Sequence, residues 1–218
     1  MTDAPHVIGY GPSVYTRAVR MALVLKQVAY DYSEIDPFEP NQADTLGQIH
    51  PFHKVPVIEH RGFRLSETQA ILDYIDGVFP GLALMPQDVL ARARARQVMC
   101  ITDSYLYRPL ITQAFSHGVF RPLVGEAFDP AEVHAGLIEA PRVLDALEEI
   151  AAEGQVLTTG CLSLADCLLW PMMDYFAMLP EGRQMMTQRS ALWAWAQWIG
   201  ETHVAEVTRP ELVGDKVS

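Results

Sequence analysis

A proline between two β-branched residues, Val55-Pro56-Val57, followed shortly by Ser66-Glu67-Thr68-Gln69-Ala70-Ile71, constrains this chain more than any other stretch. Proline donates no backbone hydrogen bond, so a strand here either starts at Pro56 or leaves an open edge. A cis Val55-Pro56 bond would turn the N–H and C=O of Val55 outward, where they can pair in strand fashion with an extended peptide. Ser66 to Gln69 has the spacing of a capping box that opens a helix, which aims free N–H groups and the positive end of the helix dipole at whatever lies beside Glu67 and Thr68. A carboxylate suits that position. Only about one X-Pro bond in twenty is cis, and most capping boxes bind nothing, so each motif alone describes local structure. In tandem they describe a ligand site built from backbone first and side chains second.

Around these motifs, residues up to about 78 alternate strand and helix signals, whereas everything after residue 87 reads as helix. His6 to Tyr10 is a short β-prone run, Tyr15 to Lys26 is helical in composition, and Tyr30 to Ile35 alternates like a half-buried strand. Pro56 to His60 and Phe63 to Leu65 flank Arg61-Gly62 as a hairpin, and Ala70, Ile71, Tyr74, Ile75 and Val78 then recur at helical spacing. Phe79-Pro80-Gly81 and Met85-Pro86 read as a linker. The expected fold class is therefore an α/β N-terminal domain over residues 1–79, which resembles a thioredoxin-like domain, followed by an all-α C-terminal helical domain over residues 87–218.

In the second half, Val98, Ile101 and Tyr105 form a stripe that Pro109 should bend, and Val143, Leu144, Leu147 and Ile150 form another. Ser163 and Asp166 cap a third helix, and a fourth carries Leu192, Trp195, Trp198 and Ile199. Tyr105, Tyr107 and Phe115 can line an apolar pocket, although an aromatic on an amphipathic helix is more often packing.

Charge narrows the partners. Sixteen basic against 27 acidic residues give a net charge of −11, with no basic cluster to track a phosphate backbone, which argues against nucleic acid and anionic membranes. Met1-Thr2-Asp3-Ala4-Pro5 lacks the character of a signal peptide, and no apolar run approaches the roughly 18 residues of a bilayer span, so a cytoplasmic location is expected. Cys100, Cys161 and Cys167 form no C-x-x-C pair and suit a reducing compartment.

The stretch His50-Pro51-Phe52-His53-Lys54-Val55-Pro56-Val57-Ile58 resembles the N-P-x-G-K-V-P-x-L pattern of the cytosolic glutathione transferases, and Leu65 to Ile71 resembles their L-x-E-S-x-A-I pattern. Leu162-Ser163-Leu164-Ala165-Asp166 is similar to the S/T-x-x-D box of their helical domain. His50 stands for the usual Asn, His53 for the usual Gly and Thr68 for the usual Ser. Tyr10 to Arg20 resembles the S-P-[FY]-x-x-x-V-R segment of serine-type members, including bacterial and tau-, theta- and zeta-like ones, with Val14 for the usual Pro.

The resemblance implies a glutathione transferase fold and places Ser13 as the catalytic serine. It further implies that Lys54 pairs with the glycine carboxylate of glutathione, Val55 pairs through its backbone with the cysteinyl moiety, and Glu67 with Thr68 holds the γ-glutamyl end. Asp103 falls about where some members present an acidic residue across a homodimer interface. Glutathione is the implied co-substrate and a small electrophile its partner; no metal or redox cofactor is implied.

Such chemistry needs a group that keeps a bound thiol ionised. Lowering a thiol pKa from about 8.5 by about two units takes about 2.7 kcal/mol, and one hydroxyl donor to a charged acceptor contributes about 1.5–3 kcal/mol. Tyr10, Ser13 and Tyr15, where the first strand should turn into the first helix, are the candidate donors; the resemblance favours Ser13, Tyr15 is its alternative, and a Ser13 that merely caps a helix is the structural one. His50, His53 and His60 lack the thiolate or carboxylate that would complete a metal site, and no G-x-S-x-G elbow supports a hydrolase. The expected function is glutathione-dependent transfer. The alternatives are a non-catalytic glutathione- or ligand-binding protein of the same fold and a glutathione-dependent isomerase of the zeta type.

Overall fold

A computed structural model describes residues 4–212, so the outer ends of both expected domains and the start of the Met1 to Pro5 stretch lie outside the described residues. Strand β1 (His6–Gly9) buries alternate residues and leads into helix α1 (Val14–Leu25), which crosses to the parallel strand β2 (Asp31–Glu34). After a short 3-10 turn (Pro40–Gln42) and helix α2 (Ala43–Ile49), strands β3 (Val57–His60) and β4 (Phe63–Leu65) add antiparallel, giving the order β2-β1-β3-β4. Strand β3 starts one residue after Pro56, where the missing N–H costs no ladder bond. In the β3–β4 hairpin, Arg61 (φ 50°) and Gly62 (φ 81°) both occupy left-handed space, the geometry whose twist matches that of the flanking strands.

The Tyr30–Ile35 run differs from a half-buried strand. Residues Asp31 to Glu34 of β2 are all exposed, because β2 is the sheet edge and pairs only with β1. Helix α3 (Thr68–Val78) buries Ile71, Leu72 and Ile75, while Ala70 and Val78 face out. Helix α1 is buried on two sides, against α3 and against α7 (Leu164–Phe176). Its Arg17 side chain is fully buried yet paired with Asp174 at 2.6 Å, which is what allows a charge there.

The linker is stapled rather than loose. Lys26 Nζ donates to Asp76 Oδ1 at 3.1 Å and to Leu82 O at 3.0 Å, and the Asp76 carboxylate accepts from the N–H groups of Leu84 and Met85. Burial alone would raise the Asp76 carboxyl, but those donors outweigh it and hold it below its ordinary value.

Every later element among the described residues is helical. Asp88 caps α4 (Val89–Ile101), which runs directly into a π-wound segment (Thr102–Phe120) and then α5 (Arg121–Val124). Pro109 lies within the π-wound segment: the helix widens and continues where a simple bend was expected, and Tyr105 is 66% exposed rather than part of a buried stripe. Helices α6 (Pro130–Ala152), α8 (Pro180–Thr187), α9 (Ser190–Gly200) and α10 (His203–Val207) complete the helical half, and α7, twelve of whose residues are buried, packs against α1, α4, the π-wound segment and α9. The Ser163/Asp166 capping box forms as expected, and the buried Asp166 also accepts from Trp195 Nε1 at 2.6 Å. The fold is an α/β thioredoxin-like N-terminal domain followed by an all-α helical one. No helix among the described residues is long and apolar enough to cross a membrane.

Candidate functional site

The turn between β1 and α1 is held by backbone close approach. A Cβ on Gly9 would run into the Thr16 side chain, which would have to shift, so glycine suits this close approach. Ser13 N–H donates to Tyr10 O at 3.0 Å, and Gly11 N–H donates to Glu34 Oε1 at 2.7 Å. Ser13 is the N-cap of α1 and accepts from Thr16 N–H at 3.3 Å. A serine hydroxyl has one proton and two lone pairs, so capping occupies an acceptor and leaves the O–H to donate. Capping and catalysis are therefore compatible at this residue. Tyr15 packs on Tyr107 with ring centroids 5.0 Å apart, and burial, then the neighbouring Asp103, push its hydroxyl well above its ordinary value.

A second strip is made by the α2–β3 connection. The Val55-Pro56 bond is cis. His53 adopts φ 51° at the position where the family pattern has glycine, and its ring packs over Gly47, where an added Cβ would meet Cε1 at 2.8 Å. His50 is buried; its Nδ1 accepts from Phe52 N–H at 3.1 Å, and its Nε2 lies 4.0 Å from Glu67 Oε1. Burial lowers the His50 pKa, with Glu67 opposing.

The expected capping box at Ser66–Gln69 does not form. Helix α3 begins at Thr68, its N-cap is Glu67 at φ 69° and ψ 111°, and no side chain caps it. Left-handed backbone at Glu67 carries the chain past the register a box requires. The Gln69 side chain instead donates to Asp103 Oδ2 at 2.6 Å.

These strips face a cavity of about 900 Å³. Ser13, Lys54, Val55, Glu67 and Thr68 all line it, as do Tyr15 and Asp103. The opposite wall comes from the π-wound segment and α7 through Tyr107, Ile111, Phe115 and Tyr175, with Phe38 and Tyr10 closing one side. Burial, then Asp36 and Glu34, push the Tyr10 hydroxyl up to about 12, so it stays protonated. Tyr105 lies outside the cavity, as do the cysteines; His60 bonds Tyr74 at 2.9 Å. Among the described residues no group of three or more His, Cys, Asp or Glu could hold a metal ion. Sequence reasoning named Tyr10 as a possible donor at the β1–α1 turn, and the cavity includes it; His50, His53 and Tyr175 were missed as cavity residues. The two histidines had a signal, since each departs from the family pattern inside a motif, whereas Tyr175 is far from any motif and had none.

Comparison with known proteins gives three kinds of likeness. Residues 7–82 match the family model of the glutathione S-transferase N-terminal domain, and residues 130–197 that of the glutathione S-transferase C-terminal domain. Over 95 residues the chain is 41% identical to glutathione S-transferase U1 of Arabidopsis thaliana, covering 43% of this chain and 42% of that one. Over 100 residues it is 33% identical to a probable maleylacetoacetate isomerase of Caenorhabditis elegans, covering 46% of this chain and 47% of that one. These alignments span less than half the length of either relative. Glutathione transferase F7 of Populus trichocarpa superposes with a TM-score of 0.79 at 20% identity, over 94% of this chain and 97% of that one, which is a likeness of fold.

Proposed function

The chain belongs to the glutathione S-transferase family, and from that premise we propose that it is a glutathione transferase whose Ser13 ionises the bound thiol. The observation that carries this reading is the convergence of Ser13, Lys54, Val55, Glu67 and Thr68 on one cavity whose far wall is aromatic and aliphatic. Glutathione lies along the backbone strip, with its glycine carboxylate at Lys54, its cysteine paired to Val55, and its γ-glutamyl end at Glu67, Thr68 and the uncapped start of α3. The Ser13 O–H donates to the sulfur and holds it as thiolate at neutral pH. The thiolate attacks an electrophilic carbon; the new C–S bond forms as the leaving group departs with its electron pair, or, in an addition, as the substrate takes a proton. The aromatic wall holds that small electrophile. Tyr15 suits the donor role less, because its hydroxyl is already hydrogen-bonded to the Asp103 carboxylate.

The same reading makes residues 1–79 the glutathione-binding domain and residues 87–218 the helical domain, and the protein a cytoplasmic homodimer of the detoxification type, without a metal. The likeness to an isomerase favours one second reading, glutathione-dependent isomerisation, in which the thiolate adds and is later expelled.

Ser13→Ala tests the proposal. Loss of a donor worth about 1.5–3 kcal/mol to the anion should raise the bound thiol's pKa by about one to two units and slow turnover at neutral pH by about ten- to a hundredfold. Glutathione affinity should survive, and the deficit should shrink as pH rises and solvent ionises the thiol. A shift on Tyr15→Phe instead would move the role to Tyr15. A wild type without thiolate absorbance at neutral pH would leave a non-catalytic binding protein.

A further inference from the structure

Two consecutive residues of α7 reach across to the start of α1. Asp174 accepts from Arg17 Nη1 at 2.6 Å, one helical turn after Ser13, while Arg17 Nη2 donates to Ala205 O at 3.1 Å. The Tyr175 hydroxyl donates to Pro12 O at 2.9 Å. Pro12 C=O and Ser13 N–H belong to one peptide plane, and the other end of that plane is tied by the bond from Ser13 N–H to Tyr10 O at 3.0 Å. The tilt of this plane sets the direction in which Ser13 leaves the backbone. With Gly11 already tied to Glu34, the Tyr175 bond is the tie that comes from the helical half of the molecule.

The same side chain faces the cavity and stacks on Phe115, with ring centroids 4.2 Å apart and planes 19° apart. Burial first, and Asp174 and Tyr10 after it, push the Tyr175 hydroxyl up against the opposing pull of Arg17, so it remains a neutral donor.

Resting on the reading of Ser13 as thiol donor, we propose that Tyr175 is a positioning residue for it: the hydroxyl aims the Pro12–Ser13 peptide while the ring forms the aromatic wall, so one side chain builds both the donor and the seat of the second substrate. The register of α7, pinned by Asp174 on Arg17, is thereby transmitted to the reacting sulfur.

Tyr175→Phe keeps the ring and its stack and removes only the hydroxyl. Titration of the bound thiolate by ultraviolet absorbance should show its pKa raised by about half to one unit, and kcat with a dinitrochlorobenzene should fall about three- to tenfold at neutral pH, with the deficit closing as pH rises. The KM for the electrophile and the Kd for glutathione should stay within about twofold. A merely structural loss would lower the melting temperature and leave the thiol pKa of the folded protein in place. Phe115→Leu, which loosens the ring but spares the hydroxyl, should move the thiol pKa the same way by less. An unshifted thiol pKa in both variants, beside a wild type that ionises its thiol, overturns the role of Tyr175 alone; a wild type with no bound thiolate at neutral pH overturns the Ser13 reading and this one with it.

Discussion

The cavity wall that carries Ser13, Val55 and Glu67 presents mainly loops and a helix start, whereas the wall that carries Tyr107, Ile111 and Phe115 presents side chains from one helical run. Loop geometry at the first wall is set by a cis peptide, two left-handed non-glycine residues at His53 and Glu67, and the close approach at Gly9. A backbone surface changes little when a side chain is exchanged, which is how His53 can occupy a glycine position without closing the site. The second wall is the reverse. Its shape is the sum of side-chain volumes on a widened helix, so single substitutions can retune it while the first wall stays fixed. A constant co-substrate on one side and a variable electrophile on the other is the division of labour such a pair of walls permits.

The largest effect is expected where both walls share a support. Helix α7 carries Tyr175 into the cavity and Arg17's partner Asp174, and its first turn depends on Asp166. Asp166→Ala removes the acceptor for Ser163 N–H, for Ser163 Oγ–H and for the buried Trp195 Nε1–H. Losing the cap costs about 0.5–2 kcal/mol and stranding a buried donor about 1–3 kcal/mol, so denaturant unfolding should report a loss of about 2–4 kcal/mol. Affinities for glutathione and electrophile, measured below the melting transition, should change together or not at all; a selective change in one would break the notion of a common support.

Gly136→Ala separates the walls. The added methyl gains about 1 kcal/mol of helix propensity in α6, but it would run into Pro109 O and lie 2.9 Å from Ala114 N, backbone atoms that cannot swing away. Overpacking of this kind costs about 1–3 kcal/mol, so the net should be a loss of up to about 2 kcal/mol. The displaced segment carries Ile111 and Phe115, so KM for the electrophile should rise while glutathione affinity measured by calorimetry holds. Equal weakening of both ligands would mean that the walls are not independent.

The same contrast explains what was legible in the sequence. Strands β1, β3 and β4, the Arg61-Gly62 hairpin and helix α3 follow from local signals, since alternation, turn residues and helical spacing each act within a few positions. The Val55-Pro56-Val57 strip was readable for that reason. The Ser66–Gln69 box was misread because its spacing fits a capping box, whereas the left-handed Glu67 moves the helix start to Thr68. Strand β2 was misread because alternation cannot tell a central strand from an edge. The widened helix and Tyr175 were not readable at all: Pro109 signals a disruption without saying whether the helix bends or widens, and the Tyr175–Pro12 bond joins residues 163 positions apart.

The smallest effect probes the first wall alone. Lys54 is an exposed side chain and Thr68 a half-buried one, both on the cavity edge. An exposed ion pair contributes about 0.2–1 kcal/mol and a neutral hydrogen bond about 0.5–1.5 kcal/mol, so Lys54→Ala should weaken glutathione binding by up to about fivefold and Thr68→Ala by about two- to tenfold. Both contacts are made equally in the ground and transition states, so kcat at saturating glutathione should stay near wild type and the loss should appear in KM. The Lys54 effect should also fade with added salt, because an exposed pair is screened over roughly 8–10 Å at moderate ionic strength, whereas that of Thr68 should not. Calorimetry at two salt concentrations reads both, and unchanged affinity in the two variants would leave backbone as the sole author of the first wall.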